Sequence, residues 1–384
     1  MTYGRQYRPT LRPGTLVAAL ALFVSSLALP ALSRGAYDYS ELPFTTDWSS
    51  TQAYGINAGG AVVGFGISAT DTMYKGFVYA SGAYVPVIPP TWSSSQAYAI
   101  NQSGAVTGLG YVSQGDFFKG FVYSGGTAGT YPTLTPGLTN VSTQGINTGG
   151  AVVGTGDTGA TARSGFVYTP GTGGGTYTLL QPSGSLDSYA LGINDAGSVV
   201  GYMTRSTYTY SGFIYQNGIY TDLLPLSWSD ARAVAINNHG LVAGDGMDGL
   251  TSTPKVFLYN SVTGGYTSLF SLPHGWTQAQ VTGINDLGDV VGWGKDADGK
   301  QKGFLYKGGV FEEIQPVGWA GVQATGINDS RMIVGWGTDP DGAIAVFTGQ
   351  PITAAVPVPA SLLLFSSGFA ILSIYRRRKY HPKG

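Results

Sequence analysis

The sequence contains no cysteine, which excludes disulfides, thiolate metal sites and cysteine nucleophiles. Charge is scarce: Asp, Glu, Lys and Arg make up 11% of the 384 residues and sum to −1. Without a basic excess the chain has nothing to grip a phosphate backbone, so nucleic acid is set aside as a partner. Histidine occurs three times. With His381 in the extreme tail, only His239 and His274 remain for metal or acid–base work. What is plentiful is glycine, at 60 residues, beside 12% aromatics. So many aromatics do not suit a disordered chain, and the combination fits an all-β protein with many tight turns.

An Ile-Asn pair recurs seven times, with its Asn at 57, 101, 147, 194, 237, 285 and 328. The spacings are 44, 46, 47, 43, 48 and 43 residues. Each Asn is followed seven residues later by Gly, from Gly64 to Gly335, and 19 or 20 residues later by Phe, from Phe77 to Phe347. Two residues before it stands only Gly or Ala. Each unit reads as four strands: A ends in Ile-Asn, B is the Val-Val-Gly run, C is Gly-Phe-Val-Tyr and D is a Tyr-x-x-Leu run. Four strands in about 45 residues predict a β-propeller blade. The last unit stops after strand C, while Tyr37 to Leu42 form an orphan D-type strand ahead of the first. The expected fold is therefore an all-β, seven-bladed propeller of four-stranded blades, its ring closed by an N-terminal strand. Closure leaves only short protected edges. Strand A would be innermost, where converging blades leave room only for Gly or Ala. Two departures stand out in the seventh unit: Arg331 at the turn Gly and Thr348 at the strand C Tyr.

The ends read as addresses. Arg5, Arg8 and Arg12 precede an apolar run from Thr15 to Leu32 and small residues at Ala31 and Ser33, which predicts a secretory signal peptide over 1–33 with a signal helix. Residues 34–350 are the propeller, 351–359 a linker with a Pro-x-Pro motif, and 360–384 a short hydrophobic helix with a basic tail. A helix over Leu362 to Tyr375 spans about 24 Å, short of the ~30 Å hydrocarbon core. Its basic cluster would stay cytoplasmic.

The tail, with Pro357, Pro359, the apolar helix and Arg376, Arg377 and Arg378, resembles the PEP-CTERM sorting signal. It departs from that signal in Val358, where the name-giving Glu would stand, and in the extra Tyr380–Gly384. The resemblance implies an exosortase-type processing enzyme acting besides signal peptidase, an inner-membrane intermediate held at least transiently by the C-terminal helix, and delivery to the cell surface or an exopolysaccharide-rich matrix. The repeats, over most of residues 50–348, resemble the HAF-type extracellular repeat with its Gly-Ile-Asn-x-x-Gly-x-Val-Val-Gly core. That resemblance implies export and β architecture but little chemistry.

Candidate chemistry is thin. Trp48, Trp92, Trp228, Trp276 and Trp319 all fall in D-to-A connections, hence on one face. They are either wedges between blades or a surface for extracellular polysaccharide. The seven Asn either cap A–B turns or form a carboxamide ring around an axial ligand. Asp296–Gly299 and Asp339–Gly342 lack the further oxygen ligands of a calcium loop. Trp293 and Trp336, just before them on strand B, read as packing between blades. Glu312 and Glu313 are adjacent on a strand and point to opposite faces, so they cannot pair as glycosidase acids. Near-identical units leave little to break the symmetry, as a catalytic site would. The reading is a non-catalytic, cofactor-free and metal-free exported binding or structural protein. Its alternatives are a polysaccharide hydrolase or lyase on the same scaffold and a membrane-anchored surface repeat without a soluble ligand.

Overall fold

The computed structural model describes residues 37–43, 47–124, 133–134, 137–159, 162–172, 174–206, 209–272 and 275–352. The signal segment, the sorting tail with its helix, and His274 lie outside them. The compact body runs Tyr39–Pro351. It consists of seven separate four-stranded antiparallel sheets. In blade one, strand A is Trp48–Ile56, B is Val62–Ser68, C is Tyr74–Ala80 and D is Ala83–Val87. Blades two to six repeat this order. The seventh sheet takes A, B and C from Ala320–Ile327, Ile333–Thr338 and Ile344–Pro351, and its fourth strand is Tyr37–Glu41. The ring is thus closed by the N-terminal strand. Leu42 N–H donates to Val346 O at 2.9 Å, and Tyr39 stands edge-on to Phe347 at 5.9 Å.

The core is layered between neighbouring blades. One layer joins Val200, Ile214 and Leu223 of blade four to Trp228, Ala233 and Phe257 of blade five. Another joins Val334 and Val346 of blade seven to Ala53, Val62 and Phe77 of blade one, with Trp336 packed against it. The strand C Phe is completely buried in all seven blades. The Gly seven residues after each Asn exists because strand A lies across it. A Cβ on Gly108 would come within 1.9 Å of Gln96 O, and one on Gly201 within 1.9 Å of Tyr189 O. Strand A is also innermost, as expected, since a Cβ on Gly192 would meet Val234 O at 3.0 Å and Ala235 Cα at 3.3 Å in the next blade.

The repeat Asn does two jobs. Its Oδ1 accepts the N–H four residues on, from Ala61, Ala105, Ala151, Ser198, Leu241, Asp289 and Met332 at 2.8–3.0 Å, which caps the A–B turn. Its Nδ2 donates to the backbone carbonyl of the next blade's Asn. These bonds run from Asn57 to Asn101 at 3.3 Å and onward round the axis to Asn328, which returns to Asn57 at 3.0 Å. Each side chain is thus held between its own turn and the next blade, and all seven residues are buried where they line one axial opening of the ring.

Both departures in blade seven have local causes. Arg331 has φ +64°, the conformation its glycine counterparts adopt, at a cost of about 1 kcal/mol. Its Nε donates to Asp289 Oδ2 of blade six at 2.7 Å, neutralising a carboxylate whose side chain is only 4% exposed. The substitution and the buried acid belong together. The strand C Tyr is replaced by Gly349, not Thr348: Ile333 pairs with Gly349 as Val62 pairs with Tyr79. Thr348 occupies the Val position, and its Oγ1 donates to Ser40 O at 3.4 Å across the closure.

Candidate ligand-binding face

The five tryptophans are wedges. Each stands edge-on to the strand C Phe of its blade: Trp48 to Phe77, Trp92 to Phe121, Trp228 to Phe257, Trp276 to Phe304 and Trp319 to Phe347, at 5.5–6.4 Å between centroids. Each also lies over a strand B glycine, with Cε3 at 2.3–3.3 Å from where a Cβ of Gly66, Gly110, Gly246, Gly294 or Gly337 would be. Trp228 is 7% exposed, Trp276 is 6% exposed, and the other three are half-buried. Blade four shows the pairing by exception. Ser185 donates its N–H to Pro182 O just as Trp92, Trp228 and Trp319 do to Pro89, Pro225 and Pro316, so it occupies the tryptophan position. Opposite it Met203, buried among Val199 and Phe213, stands where the glycine would be. Trp228→Ala should cost about 3–5 kcal/mol, the loss expected for emptying a packed aromatic site. The shift in urea midpoint measures it, and a loss under about 1 kcal/mol would remove the wedge assignment.

The variable chemistry of this face comes from strand A. In all seven blades the A–B register shifts one residue at the position three before the repeat Asn. A bulge re-aims a side chain. The bulged residues Tyr54, Tyr98, Gln144, Leu191, Val234, Thr282 and Thr325 line an axial funnel of about 220 Å³. Tyr54 stacks on Phe65 at 5.2 Å and meets Tyr98 edge-on at 5.2 Å. Burial pushes the Tyr54 hydroxyl up to about 12 and raises that of Tyr98 as well. Both hydroxyls donate, to Gln52 Oε1 and Gln96 Oε1.

Next to the bulge, one cross-strand pair takes six compositions over the seven blades: Gln52–Phe65, Gln96–Leu109, Ser142–Thr155, Tyr189–Tyr202, Arg232–Asp245, and Gln–Trp in both Gln280–Trp293 and Gln323–Trp336. Here the sevenfold symmetry breaks, against expectation. The pairs lie five residues before and eight after each Asn, so the signal was in the register all along. In blade five, Arg232 Nη2 and Nε donate to Asp245 Oδ1 at 2.7 and 3.0 Å, and Val281 N–H of blade six donates to Oδ2 at 2.8 Å. Burial pushes the Asp245 carboxyl up from its ordinary range, while Arg232 and the Val281 N–H oppose that push. A groove of about 310 Å³ opens beside this pair.

Several other acidic groups on the face are paired. Asp71 pairs with Lys75 at 3.0 Å, Asp157 with Arg163 at 3.1 Å, and Asp248 with Lys255. Asp296 Oδ1 accepts the N–H groups of Asp298 and Lys300, and Asp339 Oδ1 those of Asp341 and Ala343, so both Asp-Gly loops are closed turns. Glu313 pairs with Lys302 at 2.9 Å. Among the described residues no cluster of three metal-ligating side chains occurs.

No family model matches the sequence, and no curated protein matches it. Solved structures do. The chain is similar to the β-propeller domain of the Trilobed protease from Pyrococcus furiosus, with a TM-score of 0.57 and 11% identity over 80% of this chain and 98% of that one. It is similar to a chain of the mitotic checkpoint complex, with a TM-score of 0.51 and 11% identity over 86% and 98%. A puromycin hydrolase mutant complexed with PGG gives a TM-score of 0.54 and 14% identity over 82% of this chain and 55% of its own. Likeness at such identity carries the architecture alone. The Pyrococcus domain is described as having an open velcro topology. Here the seventh sheet instead holds a strand from each end of the body.

Proposed function

We propose that this chain is an exported, non-catalytic propeller that binds a polymer of the cell envelope or extracellular matrix on its D–A and B–C face. Signal peptidase would remove residues 1–33, and an exosortase-type enzyme would act at the PEP-CTERM-like tail. One observation carries the binding reading: seven units that share the repeat Asn and the buried strand C Phe vary at the cross-strand pair beside the funnel. Polar, aromatic and charged variety at one repeated position beside an open funnel is what recognition of an external partner requires.

The chemistry favours binding over turnover. Glycoside hydrolysis uses two free carboxyls about 5–9.5 Å apart. In the groove both Asp245 oxygens are taken by Arg232 and Val281, which leaves Asp230 without a partner acid. Burial keeps Tyr202 protonated by raising it to about 12, so it makes a poor general base.

Expression of the full chain in a Gram-negative host with an exosortase tests the proposal. The expected product lacks residues 1–33, ends near Pro359 by mass spectrometry and sediments with the matrix fraction. It should release no reducing ends from matrix polysaccharide. An unprocessed chain in the cytoplasm overturns the export reading, and steady release of reducing ends overturns the non-catalytic one.

A further inference from the structure

The groove between blades four, five and six combines tyrosines, an ion pair, a further carboxylate and glutamines. Its walls carry Tyr202 and Tyr210 from blade four, Asp230 and Arg232 from blade five, and Gln278 and Gln280 from blade six. At about 310 Å³ it falls at the lower end of the ~300–1,000 Å³ range of small-ligand sites. The equivalent pairs in blades two and three, Gln96–Leu109 and Ser142–Thr155, bring no charge.

Three features converge there. The first is ring surface. Tyr210 is 42% exposed and stands at 90° to Tyr202, 5.5 Å away. Tyr202 is backed by Tyr189, stacked at 4.5 Å. The aromatic wall is thus held in place before any ligand arrives, which lowers the ordering cost of binding. The second is hydrogen-bonding capacity. Arg232 is fixed by its two bonds to Asp245, out of five a guanidinium can donate. Asp230 receives Ser229 Oγ at 3.1 Å and has lone pairs to spare, and each Gln amide both donates and accepts. The third is charge. Arg232 and Asp245 cancel, and Asp230 adds one negative charge, so a carboxylated or sulfated ligand would be repelled.

We infer that this groove seats one or two units of a neutral, hydroxyl-rich glycan. The apolar faces of the sugar rings lie against the tyrosines. Their hydroxyls donate to Asp230 and accept from Arg232 and the two glutamines. This inference rests on the binding-face reading and narrows it to one groove and one class of polymer.

Calorimetric titration of the full chain in detergent, with neutral tetrasaccharides of glucose, mannose and galactose and with tetragalacturonate, tests it. At least one neutral sugar is expected to bind and the uronate not to bind. Tyr210→Ala and Asp230→Ala should each weaken binding tenfold or more, with thermal melting unchanged. Preferential binding of tetragalacturonate overturns the inference. So does equal affinity of both variants and the parent, and so does failure of every neutral sugar to bind. If the parent protein still sediments with the matrix in any of these cases, the groove assignment alone has failed. Loss of that sedimentation is what removes the wider reading.

Discussion

Deleting residues 37–42 is expected to unfold the propeller as a unit rather than loosen one end. The deletion removes the fourth strand of the seventh sheet and bares the edge of Ile344–Pro351. It removes Leu42 from the layer it shares with Val346, Val334, Ala53 and Phe77, and Tyr39 from the edge of Phe347. A buried leucine alone is worth about 2–5 kcal/mol, and each lost hydrogen bond adds about 0.5–1.5 kcal/mol. The sum approaches the whole stability of an ordinary domain, about 5–15 kcal/mol. Thermal melting by circular dichroism is the check. The truncated chain should melt tens of degrees lower or already be unfolded at 25 °C. A midpoint within a few degrees of the intact protein would show that the ring stands without its clasp.

Asn194→Asp should destabilise strongly and in a pH-dependent way, although it changes one atom. Asn194 Oδ1 accepts Ser198 N–H at 2.9 Å, and an aspartate keeps that bond. Its Nδ2 donates to Asn237 O at 3.1 Å, and there the aspartate sets oxygen against oxygen in a position that is 5% exposed. An unpaired buried charge costs about 3–5 kcal/mol. Burial and the facing carbonyl both raise the folded-state pKa of such a carboxyl above its unfolded value. The penalty is therefore absent below the unfolded value of about 3.9 and grows as pH rises through the folded one. Urea midpoints at pH 4 and pH 7 separate the cases. The variant should lie near the parent at pH 4 and well below it at pH 7. An equal gap at both pH values would mean that the ring bond is not what holds this residue. Asn194→Ala loses both bonds without adding charge and should show a pH-independent deficit of about 2 kcal/mol.

The fold could be read from residues whose job is local or periodic. The Ile-Asn period, the seven buried Phe and the orphan strand at Tyr37 gave blade number, strand order and closure, because each repeats in register or conspicuously fails to. The site was less legible, for two physical reasons. A bulge leaves no compositional mark: Tyr54, Leu191 and Thr282 share no property except a place three residues before the Asn. Tryptophan, in turn, is ambiguous until its neighbour is known. Only the glycine beneath each ring, and the Ser185–Met203 exchange in blade four, shows that the five tryptophans fill space. The second bond of each Asn was equally invisible, since its acceptor lies in the following blade, 43 to 48 residues away for six of them and 271 for Asn328.

Ser40 leaves the ribosome 308 residues ahead of Thr348, the residue whose hydroxyl it receives. While those residues are being made, the strand Tyr37–Glu41 has nowhere to dock. Until the seventh sheet is made, a growing chain holds finished blades with an unlatched seam. Any machinery that threads the polypeptide forward from its N-terminus thus meets a body that cannot lock prematurely, and the emergence of Ile344–Pro351 sets the moment at which the ring can close.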